Sequence, residues 1–395
     1  MVSFTQTERR ASLGLASVFS LRMFGLFVIL PVVALYADSM PGGESATLIG
    51  LAVGIYGLTQ AIFQIPLGRL SDFWGRKKTI YLGLVIFIFG SLVAALADSL
   101  LWLCVGRAIQ GTGAVSSAVI ALNADLTRDE VRTKSMAIIG VTIGLTFILS
   151  IVLGPVLESI VGLPGIFLIT ALLTLLAIGI VCFYVPDPDS FAEKEDSDSV
   201  PVKLMVILCN RDLLRLDFGI FSLHGILMAM FVSIPFILNG MGGDVVSWKF
   251  YLLVMLSSIL IMLPLMMVSE KFGYRKFVFV LSVALIVLSQ LILGFLNVGY
   301  AGLAVALIVF FGAFNMLEAS LPSWVSRIAE SNSKGTALGV YSTSQYLGTF
   351  IGGVAGGWIY QQHSGQGVFV FCAVWATIWL LISMNISDTK KISAD

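Results

Sequence analysis

The stretch GRLSDFWGRKK, residues 68–78, places four cationic side chains and one carboxylate in eleven positions. The whole chain of 395 residues is 58% hydrophobic and only 12% charged. Soluble globular proteins are about 25% charged, so this composition excludes an ordinary soluble domain and predicts a membrane protein. In such a protein the charged stretch lies in a loop outside the bilayer, between two apolar segments.

Apolar segments long enough to cross a bilayer recur along the chain. A spanning helix needs about 20 mostly apolar residues, because every backbone N–H and C=O must be hydrogen-bonded within it. The sequence predicts twelve spans, at residues 11–37, 48–67, 79–97, 101–124, 136–157, 165–185, 217–239, 249–268, 277–296, 301–324, 336–359 and 367–386.

Lysine and arginine residues concentrate at alternate ends of these spans. They occur before span 1, after each even-numbered span and at the carboxyl terminus, whereas the other loops hold almost none. Because cytoplasmic loops carry the excess of Lys and Arg, this pattern predicts that both termini are cytoplasmic.

The two halves of the chain resemble each other. SDFWGRKK at 71–78 aligns with SEKFGYRK at 269–276, and RTKSMAIIG at 132–140 resembles SNSKGTALG at 331–339. Duplicated helical units are typical of transporters that rock one half against the other. We therefore predict an all-α membrane protein of two pseudo-symmetric six-helix bundles, at 1–185 and 217–395, joined by a cytoplasmic linker at 186–216.

Three stretches carry a resemblance to a known family. The pattern G-x-L-x-D-x-x-G-R-K-K resembles motif A of the major facilitator superfamily, and LWLCVGRAIQGTGA at 101–114 resembles its motif B. Together they resemble the drug:proton antiporter branch, and FSLRMFGLFVILPV at 19–32 is similar to bacterial YajR-type transporters. The resemblance implies a major facilitator fold whose helices 1, 4, 7 and 10 line a cavity.

Two departures from the family pattern bear, in turn, on the direction of exchange and on the substrate. Gly154 and Pro155 are followed by VLES, so only the front of the antiporter motif is present in span 5. Arg22 lies nine residues before Pro31, where twelve-helix drug exporters often have an aspartate. A cation at that position predicts a preference for anionic or electron-rich molecules over lipophilic cations.

Ionisable side chains within spans are costly, so each needs a partner, a water-filled cavity or a function. Glu318 is a candidate proton site, with a structural ion pair or solvation at the helix end as alternatives. His224 has a suitable unperturbed pKa near 6.5, although a hydrogen bond between helices is an equal alternative. Arg107 is either a clamp on backbone carbonyls or, as the resemblance implies, a modulator of proton coupling.

Other polar residues in the spans are candidates for the substrate cavity. Arg22 could bind a substrate anion or form a structural pair. The amide side chains could add hydrogen bonds to substrate or join helices, and they are Gln60, Gln110, Asn123 and Asn315.

Residues 68–78 have two expected roles. Arg69, Lys77 and Lys78 are expected to anchor the topology at lipid headgroups. The motif A resemblance implies a charge relay in which Arg76 holds Asp72 and reaches Asp125. Because the free N–H groups at a helix start attract a carboxylate, Asp72 is expected to latch on the start of span 11 near Gly335 and Thr336 in the outward-open state. Two small residues, Gly68 and Gly75, would permit close approach of span 11 and a sharp turn.

These features predict a secondary active transporter that exports an amphipathic or anionic small molecule with proton coupling. The alternatives are a proton-coupled uptake symporter and, from another class, a membrane sensor without transport. No G-x-x-x-x-G-K-[ST] or H-E-x-x-H motif occurs, so we expect no enzyme activity, metal or cofactor. The expected partners are a small-molecule substrate, protons and membrane lipids, with no nucleic acid, and the expected state is a monomer in the inner membrane.

Overall fold

The computed structural model describes residues 3–37, 39–187, 204–241, 247–296, 299–330 and 334–386, and every regular element in these ranges is an α-helix. The helices before the linker are α1 (Gln6–Phe27), α2 (Val33–Ala37), α3 (Ala46–Trp74), α4 (Arg76–Ala95), α5 (Leu100–Thr112), α6 (Ser116–Asp125) and α7 (Asp129–Phe183). Those after it are α8 (Leu204–Cys209), α9 (Arg211–Gly240), α10 (Ser247–Lys271), α11 (Arg275–Phe295), α12 (Tyr300–Ile328) and α13 (Lys334–Ser383).

The chain divides into two compact units. Unit 1 comprises Met1–Gly42 and Ile55–Asp198, and unit 2 comprises Gly43–Gly54 and Ser199–Asp395. In unit 1, α1 packs on α7, and α4 packs on α5 and α7. In unit 2, α9 and α11 pack on α13, and α10 packs on α12.

Nine stretches of the described residues are long and apolar enough to cross a membrane. Two of them, in α7 and α13, contain a non-helical residue, Gly162 with φ 65° and Ser364 with φ 60°. These breaks fall between predicted spans 5 and 6 and between predicted spans 11 and 12. They are 202 residues apart (364 − 162), as expected of a duplicated unit.

Predicted spans 1 and 4 are each interrupted once, so neither is a single continuous helix. α1 ends at Phe27 and α2 begins at Val33, with Pro31 in the turn between them, where its missing N–H cannot continue the helical hydrogen bonds. α5 ends at Thr112 and α6 begins at Ser116; the C-cap residue Gly113 has ψ 43°, outside the helical range, and it lies so close to the carbonyl oxygen of Gly83 that no side chain fits there.

Glycines of the stretch GGVAGG, residues 352–357, bring helix backbones into contact in unit 2. A Cβ atom on Gly352 would overlap the carbonyl oxygen of Gly225 in α9. A Cβ atom on Gly353 would lie 2.6 Å from the carbonyl oxygen of Gly50, which belongs to the same unit. These close approaches explain why residues 43–54 group with unit 2.

Large apolar side chains cover the outside of the helices. Ile62, Phe89 and Leu172 are all exposed, in three different helices. A soluble protein rarely exposes contiguous apolar surface of this kind, whereas lipid tails cover it at no cost.

Candidate functional site

Arg22 is at the centre of a buried polar cluster in unit 1. Its side chain comes from α1 and is 1% exposed. Nη1 donates to Ser116 Oγ at 3.1 Å, and Nη2 donates to Tyr56 Oη at 2.9 Å and to Gln60 Oε1. Gln60 Nε2 in turn donates to Gln64 Oε1 at 3.2 Å. Three helices therefore converge on a single guanidinium group.

Arg107 joins the same cluster through Tyr56. Its Cζ atom lies 4.9 Å from the centre of the Tyr56 ring, and Nη1 donates to Gln110 Oε1 at 2.8 Å. Gln110 Nε2 donates to Ser91 Oγ at 2.7 Å. We call Arg22, Tyr56, Gln60, Ser116, Arg107 and Gln110 the arginine cluster.

The hydrogen-bond partners of Arg22 are all neutral. No carboxylate in the described ranges forms an ion pair with it, and its Nε atom has no hydrogen-bond partner there. The face of Phe87, 5.7 Å from Arg22 Cζ, adds a weak cation–π attraction. Because a guanidinium group presents five donors and is always charged, this arrangement favours the arrival of an anion.

The two predicted asparagines lie outside this cluster. Asn123 Oδ1 accepts from Ser135 Oγ at 2.6 Å, and Ser135 Oγ is 2.7 Å from Ser12 Oγ, so this amide joins three helices of unit 1. Asn315 is in unit 2, where its Nδ2 donates to Ser258 Oγ at 3.3 Å. Of the predicted cavity residues, the structure brings together Arg22, Gln60 and Gln110.

Sequence reasoning missed Tyr56, Gln64 and Ser116. A signal for the first two was present, because Tyr56, Gln60 and Gln64 are spaced by four residues and lie on one face of α3. Ser116 gave no signal, since serines are common in membrane helices and hydrogen-bond to their own backbone.

A second polar cluster lies in unit 2 and joins α9, α12 and α13. Gln345 Nε2 is 2.8 Å from His224 Nε2 and 3.5 Å from Glu318 Oε1. His224 Nε2 is also 3.8 Å from Glu318 Oε2. We call these three residues the carboxylate cluster, in which Gln345 was not predicted.

The two titratable groups of the carboxylate cluster differ in exposure. The His224 side chain is buried, whereas the Glu318 side chain is 31% exposed. An amide N–H directed at His224 Nε2 suits a neutral imidazole, which accepts a hydrogen bond at that atom. Glu318 is therefore the group of this cluster that is open to exchange with its surroundings.

The motif A residues form a triad of Asp72, Arg76 and Asp125 at the ends of α3 and α6. Arg76 bonds to the Asp72 carboxylate, and Arg76 Nε donates to Asp125 Oδ2 at 3.0 Å. Gly75 has φ 106°, which only glycine adopts readily, and it makes the sharp turn into α4. Gly68 packs on Ser117 of α6, with an added Cβ 3.1 Å from Ser117 Oγ.

Lys77 has an internal role besides its expected role at lipid headgroups. Its Nζ atom forms an ion pair with Asp187 at 2.8 Å and donates to the carbonyl oxygen of Val185 at 2.7 Å. This lysine therefore fastens the end of α7 to the start of α4.

Glu8 forms a further ion pair that the sequence did not reveal. Its buried carboxylate accepts from Arg128 Nε at 2.7 Å, from Arg128 Nη2 at 3.0 Å and from the backbone N–H of Thr5 at 2.8 Å. Arg128 above all holds the pKa of Glu8 well below its usual range, although burial opposes the shift. This pair fixes the start of α1 to the loop before α7.

Comparison with known proteins agrees with this architecture. The family model described as Major Facilitator Superfamily matches residues 15–263 and 218–391. The chain is 44% identical to the inner membrane transport protein YajR of Escherichia coli over 391 residues, which are 99% of this chain and 86% of YajR. It is 24% identical to multidrug resistance protein 2 of Bacillus subtilis over 405 residues, 96% of each chain.

A solved structure shows the same fold. A D-xylose–proton symporter superposes with a TM-score of 0.78 at 15% identity, covering 96% of this chain and 98% of the other. The helices and relatives together define a multi-pass membrane transporter of the inner membrane. The chain belongs to the Major Facilitator Superfamily, which confirms the resemblance based on motifs A and B.

Membership of this superfamily bears on the expectations about enzyme activity and cofactors. Members are transporters of small molecules rather than enzymes, and they work without a bound cofactor. Among the described residues no group of three or more His, Cys, Asp or Glu side chains could hold a metal ion.

Proposed function

We propose that this transporter exports an amphipathic or anionic small molecule in exchange for protons, by alternating access between two six-helix bundles of a twelve-span chain with both termini in the cytoplasm. The observation that carries the proposal is Arg22, a buried guanidinium group whose partners are all neutral. The similarity to multidrug resistance protein 2 of Bacillus subtilis supports export as the direction of transport.

The arginine cluster supplies the substrate site. A buried cation is costly without an anion, so a substrate carboxylate, sulfonate or phosphate lowers the free energy of the cluster when it binds. The neutral side chains of Tyr56 and Gln60 hold the guanidinium in place before the substrate arrives. Arg107 contributes a second positive charge on the other side of Tyr56.

The carboxylate cluster supplies the proton site. Glu318 is partly exposed and can exchange a proton, while Gln345 holds it beside His224. A carboxyl group at this depth alternates between a neutral and a charged form, which a proton carrier requires. In this proposal the motif A triad is the gate on the cytoplasmic side.

Flux measurements in reconstituted vesicles test this proposal. We suggest the anionic dye 8-anilinonaphthalene-1-sulfonate and the cationic dye ethidium as probes, with a pH-sensitive dye reporting proton movement. Antiport predicts that anionic dye and protons move in opposite directions. Movement in the same direction would identify an uptake symporter, and absence of flux for a panel of anions would favour a sensor; either result contradicts the proposal.

A further inference from the structure

Unit 2 contains a counterpart of the motif A triad in which one charge is reversed. Glu270 is 198 residues after Asp72, and Arg327 is 202 residues after Asp125, the spacing that also relates Gly162 to Ser364. Gly273, with φ 73°, makes the turn that Gly75 makes in unit 1. Arg275, one position beyond the equivalent of Arg76, begins α11 as Arg76 begins α4.

The charges of the two sites differ in sign. Asp72, Arg76 and Asp125 sum to −1, because two carboxylates flank one arginine. Glu270, Arg275 and Arg327 sum to +1, because an arginine in the last turn of α12 replaces the second carboxylate. The site in unit 2 therefore lacks the negative charge that its counterpart contains.

The hydrogen bonds of Arg275 show where that charge is lacking. Arg76 Nε donates to Asp125 at 3.0 Å, whereas Arg275 Nε is buried and finds no partner within the described part of the chain. Arg275 Nη2 reaches Glu270 Oε2 only at 3.4 Å. Arg327 makes no ion pair with any carboxylate in the described ranges.

A pocket of about 90 Å³ lies between these side chains. Glu270, Arg275 and Arg327 line it together with two serines and an aromatic residue, Ser320, Ser323 and Trp324. The first turn of α11 has no side-chain cap, so its free N–H groups add a partial positive charge. Two guanidinium groups, a serine hydroxyl and a helix start are donors that proteins use for phosphate, and Ser323 is the serine concerned, because Ser320 Oγ already donates to a backbone carbonyl at 2.6 Å.

We propose that this pocket binds a phosphate group, which replaces the carboxylate that Asp125 supplies in unit 1. The pocket lies at the ends of α10 and α12, which the distribution of Lys and Arg assigns to the cytoplasmic side. A phospholipid headgroup and a free phosphate both offer this chemistry. The site is separate from the arginine cluster and the carboxylate cluster, and its occupancy is independent of transport.

Thermal unfolding of the full-length protein in a neutral detergent tests the proposal. One arm adds sodium phosphate against sodium chloride of equal ionic strength, and the other adds dihexanoyl-phosphatidylglycerol against dihexanoylglycerol, which has the same acyl chains and no phosphate. At a probe concentration about tenfold above Kd, we expect Tm to rise on the order of 3 °C. A rise with phosphate indicates a free anion, a rise with the lipid alone indicates a headgroup, and no rise in either arm refutes the proposal.

Three variants assign any rise to this pocket. Arg327→Asp restores the charge pattern of unit 1, so its Tm without probe should equal or exceed that of the wild type and should not respond to either probe. Arg275→Gln should also abolish the rise in Tm, and this variant replaces Arg327→Asp in the test if Arg327→Asp does not fold. Arg69→Gln removes an exposed cation of unit 1 and should retain the full rise. A response that persists in both pocket variants would show that the anion binds elsewhere.

Discussion

Replacement of Glu318 by glutamine separates proton coupling from folding. The two side chains have the same shape, and Glu318 makes only long contacts, at 3.5 Å to Gln345 and 3.8 Å to His224. We therefore expect Glu318→Gln to change the free energy of unfolding by less than about 1 kcal/mol, the usual worth of such a polar contact. The variant should insert and fold as the wild type does.

The expected effect on transport is large. One pH unit across the membrane is worth about 1.4 kcal/mol for each proton, which supports about tenfold accumulation of a substrate exchanged for one proton. Without a titratable group at position 318, that ratio should fall to about one, while exchange of substrate down its own gradient continues.

Proteoliposomes with an imposed pH gradient provide the assay, and the anionic dye 8-anilinonaphthalene-1-sulfonate is the transported probe. The control is Glu44→Gln, which makes the same chemical change at an exposed turn residue. Gradient-driven accumulation at the wild-type level in Glu318→Gln would refute the assignment of Glu318 as the proton site.

Two further predictions concern Glu8 and Asp72, which lie near helix ends. Glu8→Gln should lower Tm by about 3 °C at neutral pH. The pKa of Glu8 is lowered in the folded protein, so the Glu8–Arg128 pair stabilises the fold above the unfolded pKa of about 4.3. This stabilisation is lost progressively as pH falls below that value. A difference in Tm between wild type and Glu8→Gln that stays constant from pH 7 to pH 3 would contradict the prediction. Asp72→Asn should shift the protein toward the inward-open state by about 0.3 to 2 kcal/mol, measured as reduced periplasmic accessibility of introduced cysteines. The control is Asp98→Asn, which makes the same chemical change at another exposed aspartate. If Asp72→Asn leaves both accessibility and flux unchanged, Asp72 acts only as a topology signal.

Much of the fold was predictable because an apolar stretch long enough to cross a membrane can be recognised from the sequence without knowing how it packs. The apolar segments placed most helices within a few residues, and the all-helical major facilitator fold is confirmed. The interruptions at 28–32 and 113–115 were not predicted, since both stretches are as apolar as their surroundings. Pro31 was a usable signal for the first, whereas the close approach of Gly113 to Gly83 at the second is visible only in the packed structure.

The candidate sites were predictable only in part. Charged residues such as Arg22 and Glu318 stand out in an apolar segment because burying them is costly. Among their neutral partners, Ser116 and Gln345 became evident only from the hydrogen bonds, whereas Tyr56 shares one face of α3 with Gln60 and Gln64. The charge of Arg327 is opposite to that of Asp125, its counterpart in unit 1, and this difference is seen only when the two units are compared residue by residue.

The most direct test of the account is the charge preference of the Arg22 site. Binding of 8-anilinonaphthalene-1-sulfonate and of tetraphenylphosphonium should be measured on the wild type and on Arg22→Asp, with Arg69→Gln as the control. A charge-assisted contact is worth about 1.5 to 3 kcal/mol, so the variant should bind the anion on the order of 10- to 100-fold more weakly and gain affinity for the cation. A wild-type protein that prefers the cation, or an anion affinity unchanged in Arg22→Asp, would contradict the account.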